Sequence, residues 1–256
     1  MSALQYREQG NGPTVILLHG FPMNMHVWND FTETLSQSFH VVTPDLPGFG
    51  KSPLPPEGFS LEDIAATIRT WMVEKAYRQP VIVGHSLGGY VTLALADQDP
   101  TSIAGMCLFH STALADSDEK KQSRNKVLEF IEKQGVHAFT SNFVSQLYAD
   151  PQHKSVTLIK NIAVESTKEA VVGYTRAMRD RKDRTHVIGG FSGPILFIAG
   201  ERDQGIPPDT IRQQASLNKG AEAFVLPEVG HMGMFEAPEA CLKKIQKFIE
   251  KCVVTS

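Results

Sequence analysis

The pentapeptide Gly84-His85-Ser86-Leu87-Gly88 is the part of the sequence best suited to chemistry. An apolar, β-branched run at 81–83 precedes it and a helical pattern at 90–98 follows, so the serine falls on a sharp turn between strand and helix. Side chains two places before and after such a serine would collide, which calls for glycine at 84 and 88. The turn lifts the hydroxyl above the sheet and sets it against a helix N-terminus, whose N–H groups favour negative charge developing on a reacting carbonyl. This is the setting of a nucleophile, and a serine hydroxyl becomes one only when a base takes its proton.

Nine histidines compete for the role of base. His231 follows the last apolar run by a short loop, Pro227-Glu228-Val229-Gly230, and comes late enough to be third in the order serine, acid, histidine. Of the others, His85 is fixed inside the turn, His40 begins a strand, and His137, His153 and His186 read as solvated. His110 ends the strand after the turn and is a candidate substrate-binding residue rather than a base. The base needs an anion to fix its tautomer and stabilise the imidazolium, and Asp203, in the loop after the run 195–199, is placed for it. Its rivals are Glu201, close enough to the strand to point away, and Asp209, which follows two prolines and looks like a helix start. Two backbone N–H groups, those of Leu87 and Phe21, are the candidate oxyanion donors.

Gly48-Phe49-Gly50-Lys51-Ser52 ends like a phosphate-binding loop, but the register is wrong. Asp45 stands where the first glycine is needed, and Pro53, Pro55 and Pro56 forbid the helix that should follow. A tight turn beside the pocket is the simpler reading.

The elements that must position these residues are legible as periodicity. Short apolar runs at 15–18, 41–43, 81–83, 106–109, 195–199 and 224–226 read as strands buried on both faces. Helical patterns alternate with them; the clearest opens at Ser60, with Asp63 three places on, and carries Leu61, Ile64, Ala65, Ile68 and Met72 on one face. The alternation predicts an α/β fold, a mostly parallel sheet flanked by helices, with ligands at the carboxyl ends of the strands. Residues 112–187 break the pattern: they hold charged helical stretches and no buried strand, so they read as a helical insertion between core segments 1–111 and 188–256.

Composition narrows the rest. At 256 residues, 41% hydrophobic and 21% charged, the chain is an ordinary globular one, large enough for one core and an inserted subdomain. Twenty-five basic against 28 acidic residues, without a basic block, argue against a nucleic-acid partner. No apolar run approaches a membrane span and no leader pattern opens the chain, so cytoplasmic residence is the default expectation. Cys107, Cys241 and Cys252 lie far from any CxxC spacing and read as buried thiols rather than metal ligands, and no cofactor is implied.

Together the motifs HGFP, DLPGFGKS, GHSLGG, GERD and GHMG resemble, in order and across nearly the whole chain, the α/β-hydrolase superfamily. The resemblance implies a Ser-His-Asp hydrolase acting on a small molecule, with 112–187 as a helical cap that shapes the substrate site. Ser86 stands where dehalogenase-like and epoxide-hydrolase-like members carry aspartate, which argues against those activities. His19-Gly20-Phe21 has a single glycine, unlike esterases that accept bulky tertiary alcohols. Within the cap, Phe130, Phe139, Phe143 and Leu147 fall at mostly helical spacings, suited either to the cap's own core or to a pocket wall; Phe143 is the candidate substrate-binding residue. The leading expectation is hydrolysis of a small carboxylic ester through an acyl-enzyme. The same triad would serve carbon–carbon bond hydrolysis, thioester hydrolysis or cofactor-free peracid formation, and a receptor could keep the scaffold without turnover.

Overall fold

The computed structural model describes residues 4–254. Seven strands, β1 (Tyr6–Gln9), β2 (Thr14–Leu18), β3 (His40–Pro44), β4 (Val81–His85), β5 (Gly105–Phe109), β6 (Ile195–Gly200) and β7 (Ala221–Leu226), form one sheet in the order β1-β3-β2-β4-β5-β6-β7. All neighbours are parallel except β1, which pairs antiparallel with β3. The six expected strands are present, but β7 is half-buried rather than buried on both faces, because it lies at the edge of the sheet. β1 was not expected: it is an edge strand reading Tyr-Arg-Glu-Gln, mostly exposed, so it lacks the apolar signature of the buried strands.

Eleven α-helices are described: α1 (Asn29–Leu35), α2 (Leu61–Glu74), α3 (Leu87–Gln98), α4 (Asp118–Gln134), α5 (Val136–Ser145), α6 (Val156–Ala163), α7 (Lys168–Arg179), α8 (Thr185–Gly190), α9 (Pro208–Ala215), α10 (Gly233–Glu236) and α11 (Pro238–Val254). α2 starts as its sequence dictates, with Ser60 and Asp63 capping one another's backbone N–H groups, and it buries the expected stripe plus Trp71. Central strands β4 and β5 are buried throughout, sandwiched between two apolar clusters on opposite faces of the sheet. Between β5 and β6 no strand is described. α4 packs on α5 and α7, and α5 on α6, whereas α8 packs on α3 and α9 of the sheet layer, so the boundary expected at 187 falls within a helix that belongs with the core.

Cys107, Cys241 and Cys252 are buried. Among the described residues no helix is long and apolar enough to cross a membrane.

Candidate active site

Strand β4 delivers Ser86 to the carboxyl edge at the middle of the sheet, one residue before α3 begins. Ser86 has φ +50° and ψ −109°, a conformation a non-glycine residue adopts only when its surroundings impose it. The surroundings do: its N–H donates to Phe109 O (2.9 Å), and its own carbonyl accepts from Ser111 Oγ (2.8 Å). The two glycines are needed because they touch, a Cβ on Gly84 meeting the carbonyl carbon of Gly88 at 2.5 Å. Leu87 is the first residue of α3, so its N–H has no acceptor within the helix.

His231 sits in the loop between β7 and α10, its Nδ1 2.7 Å from Asp203 Oδ2. The loop is fastened from both sides. His231 N–H donates to Leu147 O (2.7 Å), and the Glu236 carboxylate accepts from Gly230 and Met232, the residues flanking the histidine, and from Ala149 across the insertion. Asp203 is buried, and its Oδ1 accepts from Gly205 N (2.9 Å) and Ile206 N (3.0 Å), leaving Oδ2 for imidazole. Burial alone would raise its pKa. The electrostatic interaction with His231 and hydrogen bonds from His110 and His231 outweigh burial, and hold the carboxyl well below the usual range, so it is an anion at neutral pH.

The structure corrects the expectation that His110 contacts substrate. Its side chain is fully buried behind Asp203, with Nδ1 3.2 Å from the same Oδ2, and Nε2 accepting from Gly233 N (3.2 Å). Both ring nitrogens are therefore engaged within the protein. Burial lowers its pKa despite the neighbouring carboxylate, so the ring is neutral. His110, Asp203 and His231 offer ligand atoms all within 4.8 Å of one another, a spacing a metal ion could also use. An ion there would have to replace two hydrogen bonds to Oδ2.

The rivals fall elsewhere. Glu201 is exposed and accepts Glu228 N–H, and Asp209 lies exposed in the first turn of α9, paired with Arg212 (2.6 Å). His40 opens β3 and faces Glu8, His137 is exposed, and His85 donates from Nε2 to His231 O (3.0 Å). His186 is exposed but pairs with Asp97 (2.9 Å), and His153 is half-buried, stacked on Tyr148 and bonded to Ser155, so neither is simply solvated. The GKS turn is closed by Asp45, whose carboxylate accepts from Met25 N and Lys51 N, and a Cβ on Gly50 would overlap that carboxylate.

Ser86, Asp203 and His231 face one cavity of about 270 Å³ together with Phe21, Phe143 and Leu147. Phe139 stacks on Phe143 (centroids 5.3 Å apart) from behind, while Phe130 is exposed and outside the lining. A larger groove of about 770 Å³ between residues 54–60 and α7 contains neither histidine nor cysteine, and its one serine, Ser60, is occupied as the α2 cap. Sequence reasoning missed Glu236, whose residue type gave no signal, and the cationic face of α4, where the i, i+4 spacing of Lys120 and Arg124 could have given one.

Residues 15–244 match the model of the alpha/beta hydrolase family. The chain belongs to that family and is a hydrolase. It is similar to a pimeloyl-acyl-carrier-protein methyl ester esterase of Pseudoalteromonas atlantica, 26% identical over 241 residues, covering 90% of this chain and 92% of the relative. It also matches the dihydrolipoyllysine-residue acetyltransferase component of the acetoin cleaving system of Pseudomonas putida, at 26% identity over 94% of this chain, but spans only 64% of that protein's length. Among solved structures it superposes on a thermophilic esterase from Thermogutta terrifontis, malate bound, with TM-score 0.91 and 28% identity, covering 97% of this chain and 93% of that one.

Proposed function

We propose that the protein is a serine hydrolase that cleaves a small carboxylic ester through an acyl-enzyme. The observation that carries this is the 2.7 Å contact between His231 Nδ1 and Asp203 Oδ2 beside a cavity that Ser86 also faces. A proton on Nδ1, held by the carboxylate, leaves Nε2 with its lone pair to accept the Ser86 hydroxyl proton. Ser86 Oγ attacks the ester carbonyl, and the oxyanion is met by the N–H groups of Leu87 and Phe21. His231 then protonates the leaving alcohol, and a water deprotonated by the same ring releases the acid and frees Ser86. Residues 112–184, ahead of α8, act as a cap: Phe143 and Leu147 bring apolar side chains to the cavity that Ser86 faces and set the shape of the substrate. The esterases among the similar proteins favour an ester over the carbon–carbon, thioester or peracid reactions the same triad could run.

The test is a panel of short-chain esters with Ser86→Ala alongside. Multiple turnover by the wild type, lost in the variant together with fluorophosphonate labelling, is the expected result. Substantial turnover by a folded, uncontaminated Ser86→Ala protein overturns the nucleophile assignment, and binding without turnover by the wild type favours a receptor.

A further inference from the structure

The cavity above Ser86 is electrically lopsided. On α4, Lys120, Ser123, Arg124 and Val127 fall on one helical face, and all four line the cavity. Three cations, Lys120, Arg124 and Arg202, are set against a single acid, Asp203, whose oxygens are already taken by His231, His110 and two backbone N–H groups. Arg202 is balanced by Glu228. The other two are not balanced in the same way. Asp116 is shared between Arg124, whose Nε lies 2.6 Å from Oδ2, and the buried Arg181, so two guanidinium groups have one carboxylate. Lys120 has no carboxylate within ion-pair distance among the described residues, and its Nζ donates to the carbonyl of Gly205 (2.8 Å), in the loop that carries Asp203. Burial, with the charges of Arg181 and Arg124, lowers the pKa of Lys120 against the opposing charges of Asp116 and Asp203, neither of which reaches it as an ion pair.

The same cavity also has an apolar lining, built from Phe21, Phe143, Leu147 and Met178. A neutral ester would leave the α4 cations facing solvent and gain nothing from them. An ester with a second, anionic end would satisfy Lys120 and the unshared part of Arg124 while its hydrocarbon chain covers the apolar wall.

We propose that the substrate is an ester bearing a free carboxylate, such as a monoester of a dicarboxylic acid, and that Lys120 and Arg124 bind that carboxylate. This rests on the serine-hydrolase reading of the same cavity. Hydrolysis adds one water across the ester, giving the dicarboxylate and the alcohol, and needs no further reactant.

The experiment compares monomethyl adipate with methyl hexanoate at low ionic strength, following released acid by pH-stat. The wild type should favour the anionic ester by about tenfold or more in kcat/KM, the worth of one charge-assisted hydrogen bond. Lys120→Met should lower that ratio about tenfold, Lys120→Glu should lower it further, and added salt should shrink it. A wild-type ratio of one or less, or a ratio unmoved by both Lys120 substitutions, overturns the proposal and leaves the hydrolase reading standing. If neither ester is turned over, calorimetric binding of adipate to the Ser86→Ala protein decides. Affinity that falls about tenfold with Lys120→Met upholds the anion site while the hydrolase reading falls, and no adipate binding overturns the anion site.

Discussion

His110 Nδ1 lies 3.2 Å from Asp203 Oδ2, the oxygen that also takes His231 Nδ1 at 2.7 Å, so one carboxylate oxygen serves two imidazoles. Because His110 Nε2 accepts from Gly233 N, the single proton of a neutral His110 must be on Nδ1 and point at Asp203. The second donor restricts Asp203 to one orientation. A Cβ on Gly233 would meet His110 Nε2 at 2.5 Å, so ring and loop are mutually fitted. His110→Ala leaves Gly233 N–H unpaired and opens a buried hole, and should cost about 2–4 kcal/mol of unfolding free energy in urea titrations. Loss of less than about 0.5 kcal/mol would mean that the buried pairing contributes little.

Asp203→Asn tests the acid assignment. An amide cannot hold the proton on His231 Nδ1 as an anion does, and kcat should drop by about 10⁴-fold. Glu201→Gln, at an exposed carboxylate whose partner is Glu228 N–H, should change kcat by less than about twofold. Steady-state kinetics on the best ester of the panel reads both; the reverse order of effects would move the acid to Glu201.

Three histidines, His19, His85 and His110, are buried, and burial lowers the pKa of each. The fold therefore holds them neutral, while the unfolded chain takes a proton at each below about pH 6.5. Protons favour the unfolded state, so stability is full above that pH and declines as pH falls below it, by up to about 1.4 kcal/mol per pH unit for each ring. Urea unfolding between pH 7.5 and 5.5 should show this decline. His19, which pairs with Gly20 O and Leu46 N rather than with Asp203 or His231, can be taken out of this set: His19→Gln should make the slope shallower by about a third. An unchanged slope would place the proton uptake elsewhere.

The candidate triad was legible because each member follows a strand whose apolar run marks the sheet edge, buried in β4 and β6 and half-buried in β7, and chain order then removes most competitors. Ser86, Asp203 and His231 line one cavity. What was not legible depends on contacts between segments far apart in the sequence. His110 also follows a strand, and pattern alone does not tell a residue facing the cavity from one turned behind Asp203, 93 positions away. Glu236 acts through backbone N–H groups, which leave no trace in residue type. Edge strand β1 is polar because one neighbour and a mostly exposed surface ask nothing else of it.

Glu236 ties the loop that carries His231 to the helical insertion, since one carboxylate accepts N–H groups from Gly230, Met232 and Ala149. In Glu236→Gln the amide nitrogen can no longer accept, and one backbone N–H faces another donor. The ring of His231 should then be less well placed, lowering kcat by about tenfold with little change in KM, because substrate contacts are elsewhere. Glu236→Asp, which keeps the charge but shortens the reach, should fall between. Equal changes in kcat and KM, or a lower melting temperature with kinetics intact, would make Glu236 a structural tie only.

The four apolar residues singled out in the helical insertion divide by position. Phe143 and Leu147 line the cavity, Phe139 backs Phe143, and Phe130 is exposed. Trimming Phe143 to alanine removes a wall that also meets Phe21 edge-on (5.9 Å between centroids) and enlarges the space above Ser86. Small acyl groups then lose apolar contact while branched ones gain room, so the kcat/KM ratio of a branched to a short ester should rise by about 10-fold or more for Phe143→Ala, and by less for Leu147→Ala. Phe139→Ala should act mainly through stability, losing about 3 kcal/mol or more because its ring is buried behind the wall. Phe130→Ala should move neither ratio nor melting temperature appreciably. The ratios and melting curves of all four variants, taken together, decide the matter. A shift in selectivity for Phe130→Ala but none for Phe143→Ala would mean that the substrate enters along a different face of the cap.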